Sequence, residues 1–183
     1  MSKRIFLDTN VYIVGAADTD SVEWQILTWL GFDGNQPAQS EVVVSAELIE
    51  QILRVAKRLK TKDWAGSIVS RMWQNLNLRY VLVDNEEYSQ LAAEGWLPRE
   101  DIGVYLAAKQ GGTDCFISSN HGLIRAVVTE TKEFECFTPE NFAKQYLART
   151  VREVEASLQS VIPTIKAAPR FELGIKDLQS SAL

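Results

Sequence analysis

Arg4-Ile5-Phe6-Leu7-Asp8-Thr9-Asn10-Val11 opens with a short apolar run that stops on a carboxylate, followed by two small polar side chains. An apolar run of this length, ending abruptly, reads as a buried strand of an α/β sheet. Ligands of such sheets gather outside the carboxyl ends of the strands. Asp8 therefore stands where an α/β protein tends to put its chemistry. The fold and the function both turn on whether other acids, far away in sequence, fall at equivalent places.

Working outward, Val11 to Ala17 reads as a short helix or turn, and Asp18-Thr19-Asp20-Ser21 can cap a helix from about Val22 to Leu30. Gly31 to Ser40 reads as a loop. Glu41-Val42-Val43-Val44-Ser45 is a β-branched run and a second strand. Ser45 then caps a long helix to about Leu59, with Leu48, Ile52, Val55 and Leu59 on one stripe. A further helix to about Asn75, a strand over 79–83 and a helix over 86–93 ending at Gly95 follow. Pro98 suits the first position of a helix that stops at Gly111-Gly112. Strands over 114–118 and 133–137, and a helix from Pro139 to about Ala148, complete the alternation. Such an alternation calls for a mostly parallel sheet covered on both faces. The character changes near Thr150, so we expect one domain over 1–148 and a C-terminal helical extension and tail over 149–183.

Bulk composition narrows the function classes. With 46% apolar and 23% charged residues, the 183-residue chain can fill a sizeable core. Its formal net charge of −5 supplies no global positive field for nucleic acid, so any such contact must come from a local patch or from metal ions. Cys115 and Cys136, with His121 as the sole histidine, cannot make a cysteine/histidine zinc site and read as thiols in a reducing compartment. No apolar run approaches the ~18 residues of a membrane span. Met1-Ser2-Lys3-Arg4 leads into a strand without a signal-peptide core, so a cytoplasmic protein with no membrane contact is expected.

Several acids lie at strand ends or helix starts. Asp101 falls in the first turn of the helix after Pro98, in line with Tyr105 and Ala108 on its apolar stripe. Glu47 and Glu50 begin the helix after the second strand, and Asp114 follows a Gly-Gly turn, where an aspartate often only shapes the turn. Brought together, such carboxylates must raise their pKa or bind cations. Oxygen ligands without histidine or cysteine suit Mg²⁺ or Mn²⁺.

Leu7-Asp8-Thr9-Asn10-Val11 is similar to the "LDTNV" opening of PIN domains, the family that includes VapC-type toxin nucleases. Val43-Val44-Ser45-Ala46-Glu47-Leu48-Ile49-Glu50 resembles their second strand and glutamate-bearing helix. Glu100 to Ala108 resembles the helix with their third acid, and Asp114 to Asn120 the strand ending in "TxD" or "SxN". The match runs in order over residues 4 to about 147.

This resemblance implies a PIN-like three-layer α/β/α sandwich with a mostly parallel central sheet of about five strands. It implies metal-dependent cleavage of RNA, with Asp8 and Asp101 as Mg²⁺ or Mn²⁺ ligands, Glu50 completing the cluster and Asn120 at its last corner. Thr9, Asn10, Ser118, Glu47 and Asp114 are expected in support. Expected partners are an RNA substrate, an antitoxin protein and a second copy of the chain.

Two departures stand out. Six positions on from Ser45, where many relatives carry glutamate, this chain has Gln51. A slightly shifted helix start would restore Glu50, which lies about 100° round the helix; Glu47, one turn before Gln51, can substitute. Asn120 replaces a fourth aspartate and removes one negative charge. A PIN-like domain that binds RNA or protein without cutting is the alternative. Aspartyl-phosphate enzymes of the haloacid-dehalogenase type fit worse, because their second aspartate, two residues after the first, is Asn10 here. Arg54, Lys57, Arg58, Lys60 and Lys62 form a basic run that reads as a solvated face or an RNA-backbone patch.

Overall fold

The computed structural model describes residues 3–35 and 40–148. The expected C-terminal extension over 149–183 lies outside the described residues. The elements run β1 (Arg4–Leu7), α1 (Thr9–Ala17), α2 (Val22–Trp29), β2 (Glu41–Ser45), α3 (Ala46–Leu59), α4 (Lys62–Asn75) and β3 (Asn77–Val81). They continue with α5 (Asn85–Glu94), α6 (Arg99–Gln110), β4 (Cys115–Ile117), α7 (His121–Glu130), β5 (Glu135–Phe137) and α8 (Pro139–Phe142), which runs on as a π-helical turn over Ala143–Leu147.

All five strands are parallel, in the order β3-β2-β1-β4-β5, and helices flank the sheet in an α/β/α sandwich. β1 is central because its side chains are apolar on both faces: Ile5, Phe6 and Leu7 are fully buried, as are Val42, Val43 and Val44 of β2 and Phe116 and Ile117 of β4. Phe6 stacks on Phe116 across the register pair. The chain leaves β1 toward β2 on one side and reaches β4 on the other. The crevice beyond the carboxyl ends of β1 and β4 is therefore the topological switch point of the sheet.

The caps follow the sequence. Ser21, Ser45 and Thr61 each accept a hydrogen bond from the backbone N–H three residues on, fixing the starts of α2, α3 and α4. Pro98 is the capping residue of α6 and Arg99 its first residue, one position later than expected. β3 lies two residues earlier than the expected 79–83, because Asn77 to Val81 is the stretch in register with Glu41 to Ser45. α7 has no counterpart among the elements expected from the sequence. Its apolar side is narrow, with only Leu123 and Val127 buried. Cys115 faces Glu135 across the β4–β5 register and Cys136 faces Phe116, so the two free thiols point to opposite faces of the sheet. Trp24, Trp29 and Trp96 pack edge-on against Phe32, Phe142 and Tyr105. Trp73 instead is half-exposed and stacks on Tyr80. No helix among the described residues is long and apolar enough to cross a membrane.

Two glycines mark close approaches with opposite tolerance. A Cβ at Gly15 would come within 2.6 Å of Leu27 Cδ1 and 3.0 Å of the α2 backbone at Glu23 and Trp24. A Cβ at Gly103 would meet Glu47 Cγ at 3.5 Å and Glu47 Cβ at 3.7 Å, ordinary contacts between α6 and α3. Gly15→Ala is expected to cost about 1–3 kcal/mol by overpacking. Gly103→Ala should gain roughly 0.5–1 kcal/mol of helix propensity. Urea unfolding midpoints of the two variants check the contrast.

Candidate functional site

Asp8 ends β1 and caps α1, and both jobs hold its carboxylate still. Its backbone N–H donates to Ile117 O at 2.9 Å, tying it to the end of β4. Its Oδ1 accepts from the backbone N–H of Thr9 at 2.7 Å. Its Oδ2 accepts from Asn10 Nδ2 at 2.8 Å and from Ser118 Oγ at 2.5 Å. Ser118 is fully buried and its Oγ also accepts from the backbone N–H of Asn120 at 2.9 Å. Asn10 Oδ1 takes the N–H of Ser119 at 3.0 Å. The loop after β4 is thus stitched to the end of β1 through Asp8, Asn10 and Ser118.

Burial pushes the Asp8 carboxyl above the usual carboxylate range, and the hydrogen bonds from Ser118, Thr9 and Asn10 only partly offset this. Asp101, half-buried in the first turn of α6, is also pushed up, first by burial, then by the Asp8 charge and the Glu100 charge. The Asp8 charge therefore reaches Asp101, and the two carboxylates repel each other. Among the described residues neither is ion-paired with a lysine, arginine or histidine.

The other expected residues divide. Thr9 supports Asp8 through its backbone, but its hydroxyl donates to Gln51 Oε1 at 2.7 Å. Because Ser45 caps α3 where the sequence placed it, Gln51 and Glu47 carry the face turned toward α1 and α6. Glu47 Cγ lies over Gly103 of α6, and Glu47 and Gln51 line one cleft of about 290 Å³ with Arg54, Tyr88, Arg99 and Glu100. Glu50, expected as the third acid, is exposed and has no side-chain hydrogen bond or ion pair among the described residues. The helix start does not shift, so Glu50 stays about 100° round from Gln51.

Asp114 is not brought to the pocket either. Its Oδ2 accepts from the backbone N–H of Arg4 at 2.7 Å, at the opposite end of β1 from Asp8. Four residues of strand separate the two ends, about 13 Å. Asn120 caps α7, its Oδ1 accepting from the N–H of Leu123 at 3.1 Å, and His121 is the exposed first residue of that helix.

The donor set tests what ion fits. Among the described residues no three histidine, cysteine, aspartate or glutamate side chains converge closely enough to hold a metal. The positions where the PIN resemblance predicts a third and fourth acid are Gln51 and Asn120, whose carbonyl oxygens already accept protein hydrogen bonds. Two all-oxygen carboxylates fit one Mg²⁺ or Mn²⁺, completed by waters or substrate phosphate. They do not fit a cluster of two ions.

Ser118→Ala probes the core of this network. It strips a donor from a buried carboxylate and an acceptor from the Asn120 N–H, and should cost about 1–3 kcal/mol at neutral pH. The loss should shrink below the Asp8 titration, where the carboxyl is neutral; urea unfolding at neutral and acid pH checks this.

No protein-family model matches the chain, and no curated protein matches it. Among solved structures, a chain of the crystal structure of VapBC2 from Rickettsia felis bound to a DNA fragment from their promoter superposes with a TM-score of 0.51. The match covers 74% of this chain and 98% of that one at 12% sequence identity. At that identity the likeness bears on the fold alone, the α/β/α sandwich with its parallel five-stranded sheet.

Proposed function

We propose that the chain is a Mg²⁺- or Mn²⁺-dependent endoribonuclease of the PIN type, the toxin component of a toxin–antitoxin pair. The observation that carries this reading is the Asp8–Asp101 pair. Two carboxylates, both raised by burial and one by the other's charge, stand at the switch point of a parallel sheet. Such a pair is unfavourable without a cation.

Asp8 and Asp101 would hold the ion. When bound, it would neutralise charge on the phosphodiester and lower the pKa of a water. The chain's own residues do the rest. Thr9 N–H, Asn10 and Ser118 fix the Asp8 carboxylate before substrate arrives, which lowers the reorganisation needed at the reacting phosphate. Glu47, exposed at the mouth of the cleft on the Gln51 face, is the acid left to take a proton from the attacking water. An antitoxin protein and a second copy of the chain are the proposed protein partners, and the cytoplasm the proposed compartment. Loss of RNA cleavage in Asp8→Asn tests this reading.

A second reading rests on Gln51 and Asn120, whose side-chain oxygens are engaged by protein donors where carboxylates would complete a metal cluster. On that reading the pocket binds RNA or a protein without cutting. Calorimetric titration with Mn²⁺ separates the two. Millimolar or tighter binding that disappears in Asp101→Ala supports the nuclease, and no binding by the parent chain supports the module.

A further inference from the structure

We infer that the cleft between α3, α5 and α6 is a subsite for the RNA strand, with Arg54 and Arg99 taking the backbone phosphate next to the one at Asp8 and Asp101. The inference rests on the ribonuclease reading for the identity of the strand. Its geometry belongs to the cleft.

Glu47, Gln51 and Arg54 recur at i, i+4 and i+7 on α3, so they form one stripe along the wall of the cleft. The start of α6 supplies Arg99 and Glu100 opposite, and Tyr88 of α5 closes one side. The Tyr88 hydroxyl donates to Arg99 O at 3.1 Å, so the ring and the Arg99 backbone hold each other in place. The stripe leads to the acids: Gln51 accepts from the Thr9 hydroxyl, and the Thr9 backbone N–H donates to Asp8.

Three groups of N–H donors in this cleft have no protein acceptor among the described residues. Thr9 occupies Gln51 Oε1, and Gln51 Nε2 has no hydrogen-bond partner among the described residues. Neither Arg54 nor Arg99 forms an ion pair among the described residues, although Glu47 and Glu100 line the same cleft. Unpaired guanidinium groups in a concavity suit phosphate oxygens, which they meet with charge-assisted bonds. The glutamates make the lining neutral overall, which disfavours a free anion. A nucleotide strand matches both kinds of group, since phosphates accept and ribose 2′-hydroxyls donate. The Tyr88 ring offers a face for a base. With a chain charge of −5, this local set must do what the global field cannot. Lys57, Lys60 and Lys62 line no part of the cleft, and Lys60 lies over the Trp64 ring instead.

The test uses the full chain and a fluorescent single-stranded RNA of about twenty mixed-sequence nucleotides, in EDTA so that no cleavage occurs. Affinity is measured between roughly 50 and 200 mM KCl. The parent chain should bind. The double variant Arg54→Ala/Arg99→Ala should bind about 10- to 100-fold more weakly, and its log–log salt slope should flatten by about 0.7, the value for one lost phosphate contact. Arg54→Lys/Arg99→Lys should keep the slope, and Arg125→Ala, at an exposed α7 position outside the cleft lining, should bind within about twofold of the parent. No binding by the parent, or an unchanged affinity and slope in the double alanine variant, overturns the subsite. Cleavage assayed in parallel keeps the two ideas apart. A parent that cleaves RNA, with the arginine pair dispensable, sinks the subsite and leaves the nuclease reading standing. A parent that binds through the arginines but never cleaves does the reverse.

Discussion

Asp8→Asn should abolish metal-dependent RNA cleavage by the purified chain while leaving its melting temperature in EDTA unchanged or slightly raised. The catalytic half follows from charge. Changing groups that only orient a metal ligand costs about 10–100-fold, so removing one of two ligand carboxylates should cost more than ~10²-fold. The stability half follows from the raised Asp8 pKa. A carboxyl titrating higher in the folded than in the unfolded chain opposes folding once it ionises. Its penalty is absent below the ordinary carboxylate range, builds as pH rises, and is complete above the folded-state pKa. Asparagine removes the charge and keeps an oxygen for the Thr9 N–H, although its amide must then face donors on Asn10 and Ser118. Cleavage gels in Mn²⁺ and thermal melts in EDTA read the two halves separately. Cleavage at the parent rate in Asp8→Asn would end the nuclease reading, and a collapse of the fold would show that Asp8 serves structure first.

Much of this candidate site was legible because its side chains sit at the junctions of regular elements. An apolar run broken by Asp8 marks the end of β1, Ser45 marks the start of α3, and Asp101 falls on the inward stripe of α6. Asp114 was also decidable in principle. It precedes its strand, and in a parallel sheet the start of β4 lies beside the start of β1, away from Asp8. The choice between Glu47, Glu50 and Gln51 was not. A shift of one residue in a helix start turns its face by about 100°, so periodicity alone could not fix which side chain met Thr9. The contact between α1 and α3 decides it. α7 was missed because two buried side chains in ten residues leave a weak apolar period. The cleft donors Arg54 and Arg99 are 45 positions apart in sequence, and only the α3–α6 approach at Gly103 brings them to one cleft.

Gln51→Glu should convert this pocket from a two-carboxylate to a three-carboxylate site, and its effects should be large and opposite with and without metal. Gln51 Oε1 already accepts from the Thr9 hydroxyl, and a glutamate oxygen accepts the same bond in the same place. The second oxygen of the new carboxylate then replaces the amide donors and adds a third negative charge near Asp8 and Asp101. Without metal this should raise both aspartates further and lower stability at neutral pH by about 1–3 kcal/mol, with the loss fading in acid as the acids protonate. With Mn²⁺ the same charge becomes favourable, and affinity should rise roughly tenfold or more. If the chain is a nuclease held back by its low site charge, cleavage should rise with that affinity. If it is a binding module, Gln51→Glu should gain Mn²⁺ binding and lose some RNA affinity in EDTA, because the new charge faces the strand. Calorimetry with Mn²⁺ and RNA binding in EDTA distinguish these outcomes. A variant whose metal affinity and metal-free stability both match the parent would show that Gln51 does not face the Asp8 pocket in solution.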